Sequence, residues 1–209
     1  MASALRIGID FDNTIVTYDE VFCAAAKRGG LVDQDFVGRK QAVRDAIRLL
    51  PEGELAWQRL QGQVYGKGIA EARVIAGVEP FLRRCRAEGC TVAVVSHKTV
   101  YGHYDPDRVN LREAAFDWMA AQGLLDAASA IPPDSIYFES SREQKLGRIA
   151  TLSLTHFIDD LEEVLTDPGF PQDIQRILFA DRGPSPAAPY VVCPTWWDIE
   201  HYIFDGAAH

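Results

Sequence analysis

Leu5-Arg6-Ile7-Gly8-Ile9-Asp10-Phe11-Asp12-Asn13-Thr14 begins as a mostly apolar, β-branched run and ends in two aspartates. A strand buried on both faces of a parallel sheet reads as a short, near-continuous hydrophobic run, and Leu5–Ile9 has that form. Asp10 then falls just past the strand's C-terminal end. Outward from this stretch the same pattern recurs at Thr91–Val95, Ser135–Phe138, Thr155–Ile158 and Arg176–Phe179. Tyr190–Cys193 is predicted as an edge strand, and the proline-rich stretch Gly183–Pro189 before it as a loop.

Amphipathic segments separate most of these runs. Phe81, Leu82 and Cys85 form an apolar face that stops at Gly89, a glycine suited to end a helix. Asn110 and Glu113 have the spacing of a capping box, opening a helix that ends near Gly123. Ser141 is predicted to cap a helix running to about Leu152. Strands alternating with helices imply an α/β chain: a Rossmann-like, three-layer parallel sheet core.

The interval from about Ile15 to Ala76 is different. Val21, Phe22 and Ala25, then Val43, Ile47 and Leu50, then Leu55, Leu60 and Val64 recur at helical spacing, with no strand pattern between them. That is too long for a simple crossover connection. It predicts a small helical cap inserted after the first strand, 15–76, on a core formed by 1–14 and 77–209.

The 209 residues carry 21 Lys and Arg against 30 Asp and Glu, a formal net charge of −9. Such a surface repels polyanions, so neither nucleic acid nor an anionic membrane is expected as a partner. Any phosphate site must therefore be built from local positive charge. Four cysteines, Cys23, Cys85, Cys90 and Cys193, form no Cys-x-x-Cys pair and have no zinc-ligand spacing. Free thiols and no secretory leader or long apolar segment point to a cytoplasmic protein.

Four features fall at or near predicted strand ends, the edge where open α/β sheets bind ligands. Asp10 and Asp12 lie two apart in an extended chain, so both carboxylates can face one cavity. Two close acids repel unless a cation lies between them. Ser96 follows the second strand, with His97 and Lys98 after it. Lys145 lies near the start of the helix after the third strand, and Asp159-Asp160 closes the fourth. Taken singly, each has a plainer reading: turn aspartates, a strand-ending serine, a surface lysine, a helix cap followed by a dipole-compatible acid.

In order and placement together they resemble the haloacid dehalogenase superfamily, in its phosphatase branch. That resemblance rests on Asp10-x-Asp12-x-Thr14, Ser96, Lys145 and Asp159/Asp160, and covers about residues 5–163. Asn13 departs from it, where the family usually has glycine; asparagine tolerates positive φ better than most residues. The resemblance implies an Mg²⁺-dependent phosphohydrolase acting through an aspartyl-phosphate on a small phosphorylated metabolite, for which a sugar phosphate is a candidate. Asp10 is then the nucleophile and Asp12 the general acid and base, while Thr14, Ser96 and Lys145 bind the phosphoryl group. Asp10, Asp12 (through its main-chain carbonyl) and Asp160, with or without Asp159, are the expected metal ligands. The cap is expected to choose the substrate, with His97, Lys98, Lys67 and Arg44 as candidate contacts. A phosphonatase, a phosphomutase or a non-catalytic phosphate-binding module on the same scaffold are the alternatives.

Overall fold

The computed structural model describes residues 5–105, 107–183 and 187–206. In chain order the elements are β1 (Arg6–Ile9), β2 (Val16–Thr17), α1 (Asp19–Arg28), α2 (Lys40–Arg48), α3 (Gly53–Tyr65), β3 (Arg73–Val74) and α4 (Val78–Ala87). They continue as β4 (Thr91–His97), α5 (Leu111–Ala121), β5 (Ile136–Glu139), α6 (Arg142–Thr151), β6 (His156–Asp159), α7 (Glu162–Leu165), β7 (Gln175–Phe179), β8 (Val191–Cys193) and α8 (Trp196–Phe204). All six predicted strands form, in one sheet of order β5-β4-β1-β6-β7-β8 in which neighbouring strands run parallel. The protein is thus an α/β chain with a six-stranded parallel sheet flanked by helices, as the strand pattern predicts.

The chain forms two compact units, Met1–Ile15, Val74–His97 and Gln122–His209 in the first, and Val16–Arg73 with Lys98–Ala121 in the second. The first holds the sheet. Strand side chains alternate between its faces. On one face Val95, Phe157 and Leu178 pack with Leu146 and Ile149 of α6 and with Val164 and Leu165 of α7. On the other, Phe179 meets Trp196 of α8, and Trp196 meets Phe81 of α4 at 4.9 Å between ring centroids. The Trp196 indole nitrogen donates to the Thr14 carbonyl at 3.0 Å, tying α8 to the turn after β1. Three helix boundaries follow the predicted caps: Asn110 accepts from the amides of Arg112 and Glu113, Ser141 from Gln144, and Gly89 takes φ 69° past the end of α4.

The second unit is helical. Phe22 stacks on Trp57 at 5.0 Å, and Tyr18 meets Tyr65 edge-on at 4.9 Å. Two features differ from the sequence reading. Val16–Thr17 and Arg73–Val74 pair as a two-stranded ribbon inside an interval with no strand pattern, because two residues are too short to carry one. Lys98–Ala121, expected in the core, belongs to the helical unit. There Trp118 donates to the Ala72 carbonyl at 3.3 Å, and a Cβ on Gly102 would lie 2.6 Å from the Gly62 Cα of α3. The apolar stripe of α5 suits either unit, so the local pattern does not name its partner. Of the proline-rich stretch, Pro184, Ser185 and Pro186 lie outside the described residues. No helix among the described residues is long and apolar enough to cross a membrane.

Gly8 gives the sheet a direct test. A Cβ there would lie 2.5 Å from both Leu154 Cδ1 and Phe157 Cδ2 in the buried core. Gly8→Ala is expected to lower stability in urea denaturation by about 1–3 kcal/mol through overpacking. A variant as stable as the parent would show that Leu154 and Phe157 give way freely.

Candidate active site

From β1 the sheet order runs to β4 and β5 on one side, then returns to β6, β7 and β8 on the other. The reversal lies between β1 and β6, and ligands of open α/β sheets bind at the strand C-termini of such a switch point. Asp10 and Asp159 sit there side by side, because the register pairs Gly8 with Phe157 and Ile9 with Ile158. The Asp10 amide continues the ladder to the Ile158 carbonyl at 2.9 Å.

Lys145 reaches this point from the first turn of α6, which Ser141 caps. Its ammonium donates to Asp10 Oδ1 and to Asp159 Oδ2, each at 2.6 Å. All three side chains are buried: Lys145 is 1% exposed, Asp10 5% and Asp159 0%. The second oxygen of Asp159 accepts from the Leu161 amide at 2.9 Å. Burial alone would lower the affinity of Lys145 for its proton. The charges of Asp10 and Asp159, and the bonds to both, outweigh that and hold it well above the ordinary lysine range. Burial raises the Asp159 carboxyl, against the pull of Lys145 and with the repulsion of Asp10.

Candidate ligand oxygens of Asp10, Asp159 and Asp160 lie within 4.8 Å of one another. Three carboxylates and one ammonium leave a formal charge of −2. Such a hard, all-oxygen donor set suits Mg²⁺ by both charge and chemistry. The Asp12 carboxylate is outside this group. Thr14 is fully buried, and its hydroxyl has no hydrogen-bond partner among the described residues. A buried hydroxyl left unpaired at a site is a group awaiting one.

The turn joining Asp10 to Thr14 closes through the Ile15 amide to the Phe11 carbonyl at 2.9 Å. Asn13 takes φ 59°, the left-handed conformation its type was expected to tolerate. Its side-chain amide also donates to Asp160 Oδ2 at 3.3 Å, a contact the sequence reading missed. The only signal for it was asparagine in place of glycine.

The remaining candidates separate by place. Ser96 is buried near the C-terminal end of β4, in register with Phe138. The His97 ring contacts the Ser140 carbonyl at 3.1 Å, joining two loop ends of the sheet. Lys98, Lys67 and Arg44 belong to the second unit. Lys98 is buried with its ammonium 5.1 Å from the Tyr65 ring centroid. Lys67 is exposed and paired with Asp107 at 2.7 Å, a bond that raises its proton affinity. Arg44 bonds its neighbour Asp45 at 3.0 Å on the surface. The four cysteines are free thiols.

No protein-family model matches the chain, and neither does any curated protein. Solved structures do. A haloacid dehalogenase superfamily hydrolase from Ehrlichia chaffeensis aligns over 97% of both chains at 14% identity and a TM-score of 0.57. A haloacid dehalogenase-like hydrolase from Streptococcus pneumoniae aligns over 97% of this chain and 99% of its own, at 14% identity and a TM-score of 0.58. A haloacid dehalogenase family hydrolase from Deinococcus radiodurans, solved with bound phosphate and sodium, aligns over 96% and 95% at 13% identity and a TM-score of 0.55. At these identities what is shared is the fold, and the protein has the haloacid dehalogenase-like fold.

Lys145 is the testable element of the cluster. Removing one partner from a buried ion pair strands the other charges, typically at about 3–5 kcal/mol. Lys145→Met, unfolded in denaturant with chelator present, is expected to lose stability on that scale. A loss of under about 1 kcal/mol would rank the contact with surface salt bridges.

Proposed function

We propose that the protein is a Mg²⁺-dependent phosphomonoesterase that acts through an aspartyl-phosphate at Asp10, on a small phosphorylated metabolite of the sugar-phosphate kind. The observation that carries this reading is Lys145, buried between Asp10 and Asp159 in a cluster of three acids. A lysine in that place fixes the nucleophile's orientation and brings positive charge to where a phosphoryl group would sit. Phosphate bound in the Deinococcus radiodurans structure of the same fold supports the substrate chemistry.

In this reading an Asp10 carboxylate oxygen attacks phosphorus, and the ester oxygen departs with a proton from Asp12. Asp12, now a carboxylate, takes a proton from water as that water attacks the aspartyl-phosphate, releasing inorganic phosphate and restoring Asp10. Ser96 and Thr14 offer hydroxyls to the phosphoryl oxygens, and the unpaired Thr14 hydroxyl is the stronger case. Asp10, Asp159 and Asp160 would hold Mg²⁺, with the Asp12 carbonyl beside them. Bound there, the ion neutralises phosphate charge. Asp12 is what separates this reading from a dehalogenase, which has no leaving alcohol to protonate. For the substrate's organic part the candidate contacts are His97, Lys98, Lys67 and Arg44, of which Lys67 and Arg44 are exposed and paired with Asp107 and Asp45.

Hydrolysis of p-nitrophenyl phosphate tests the reading. Chelation should abolish it, Mg²⁺ should restore it, and Ca²⁺ should restore it poorly because its larger, looser shell misplaces the nucleophile. Asp10→Asn should lower turnover by about 10³-fold or more while the fold survives. Full activity in excess chelator would remove the metal from the mechanism. Turnover within about tenfold of the parent in Asp10→Asn would remove the nucleophile.

A further inference from the structure

Two of the three clustered carboxylates are fixed by groups that the motif reading anticipates or the backbone supplies. Asp10 and Asp159 share Lys145, and Asp159 also accepts from the Leu161 amide. Asp160 is placed differently. It follows the last residue of β6, and successive residues of an extended chain point to opposite sides. Asp159 points into the buried cluster, so a straight continuation would send Asp160 away from it. The chain bends at Asp160 instead, and its carboxylate stands with the other two. The Asn13 amide meets that carboxylate from the turn after β1.

Asn13 is an odd choice if only the turn mattered. At φ 59° glycine adopts the conformation without a Cβ penalty, and asparagine does so at some strain. What asparagine adds is a neutral donor that can bond a carboxylate without competing for it as a lysine would. The bond gives the Asp160 carboxylate a direction.

We propose that Asn13 is a positioning residue for Asp160: its side-chain amide holds that carboxylate in the acid cluster and sets the affinity for a divalent cation. The inference rests on the metal-binding reading given above, and deepens it by naming a residue that tunes the site without touching the ion. Partners that orient a metal-ligating carboxylate commonly change affinity by 10-fold or more when removed.

The experiment is Mg²⁺ titration by calorimetry on purified full-length protein stripped with chelator, alongside thermal unfolding with and without Mg²⁺. Asn13→Gly should bind Mg²⁺ on the order of tenfold more weakly. Its metal-free melting temperature should equal or exceed that of the parent, because glycine suits the left-handed turn; a merely structural role for Asn13 predicts the reverse. In an Asp160→Asn background, Asn13→Gly should cause no further loss, since the two act as one unit. Affinity within twofold of the parent in Asn13→Gly, or equal losses in both backgrounds, would overturn the proposal. No Mg²⁺ binding by the parent would instead overturn the metal reading, and the assignment to Asn13 with it.

Discussion

A buried ammonium shared by two buried carboxylates is the constraint on which the core is arranged. Lys145, Asp10 and Asp159 can leave water only together, because any one of them alone in that environment is an uncompensated charge. Their proximity requires β1 beside β6, in a register that lines up Ile9 with Ile158, and α6 starting at Ser141 so that its first turn overlooks both strand ends. Sheet order, register and helix cap thus converge on one point. Beneath it lies a hydrophobic face where Phe157 packs with Leu146 and Phe170.

In the same arrangement three clustered acids stand against the one ammonium of Lys145. Three acids against one lysine form a poor structural core element and match the donor set that a hard cation takes. The acids come from the ends of two neighbouring strands, while the hydroxyls of Thr14 and Ser96 stand in the adjoining turn and on β4. The placement of these side chains is therefore set by backbone geometry that the sheet fixes.

Much of this is written in short apolar runs. Each strand shows itself because both of its faces are covered, so the residue after it is placed at the ligand-binding edge by pattern alone. Asp10, Ser96 and Asp159 are legible in that way, and so are the helix starts at Asn110 and Ser141, whose side chains act on their own backbone. Lys145 is legible only in the company of the others. Nothing local distinguishes a buried lysine from a surface one. Contacts between distant segments leave no local trace, which is why the bond from Asn13 to Asp160 and the grouping of α5 with the helical unit are invisible in the chain. Lys67 and Arg44 show the converse: charge in the right interval is visible, but its neutralisation by a nearby acid such as Asp107 is decided by folding.

The close approach of Gly102 to Gly62 has a consequence for modularity. The helical unit is not one cassette inserted in the core but two segments, Val16–Arg73 and Lys98–Ala121, fastened where neither backbone carries a Cβ. Exchanging Val16–Arg73 alone for another helical insert would remove the Ala72 carbonyl to which Trp118 of α5 donates and the Gly62 backbone that Gly102 approaches. The two segments must be transplanted as a pair, and any change that diversifies the one is answerable to the other.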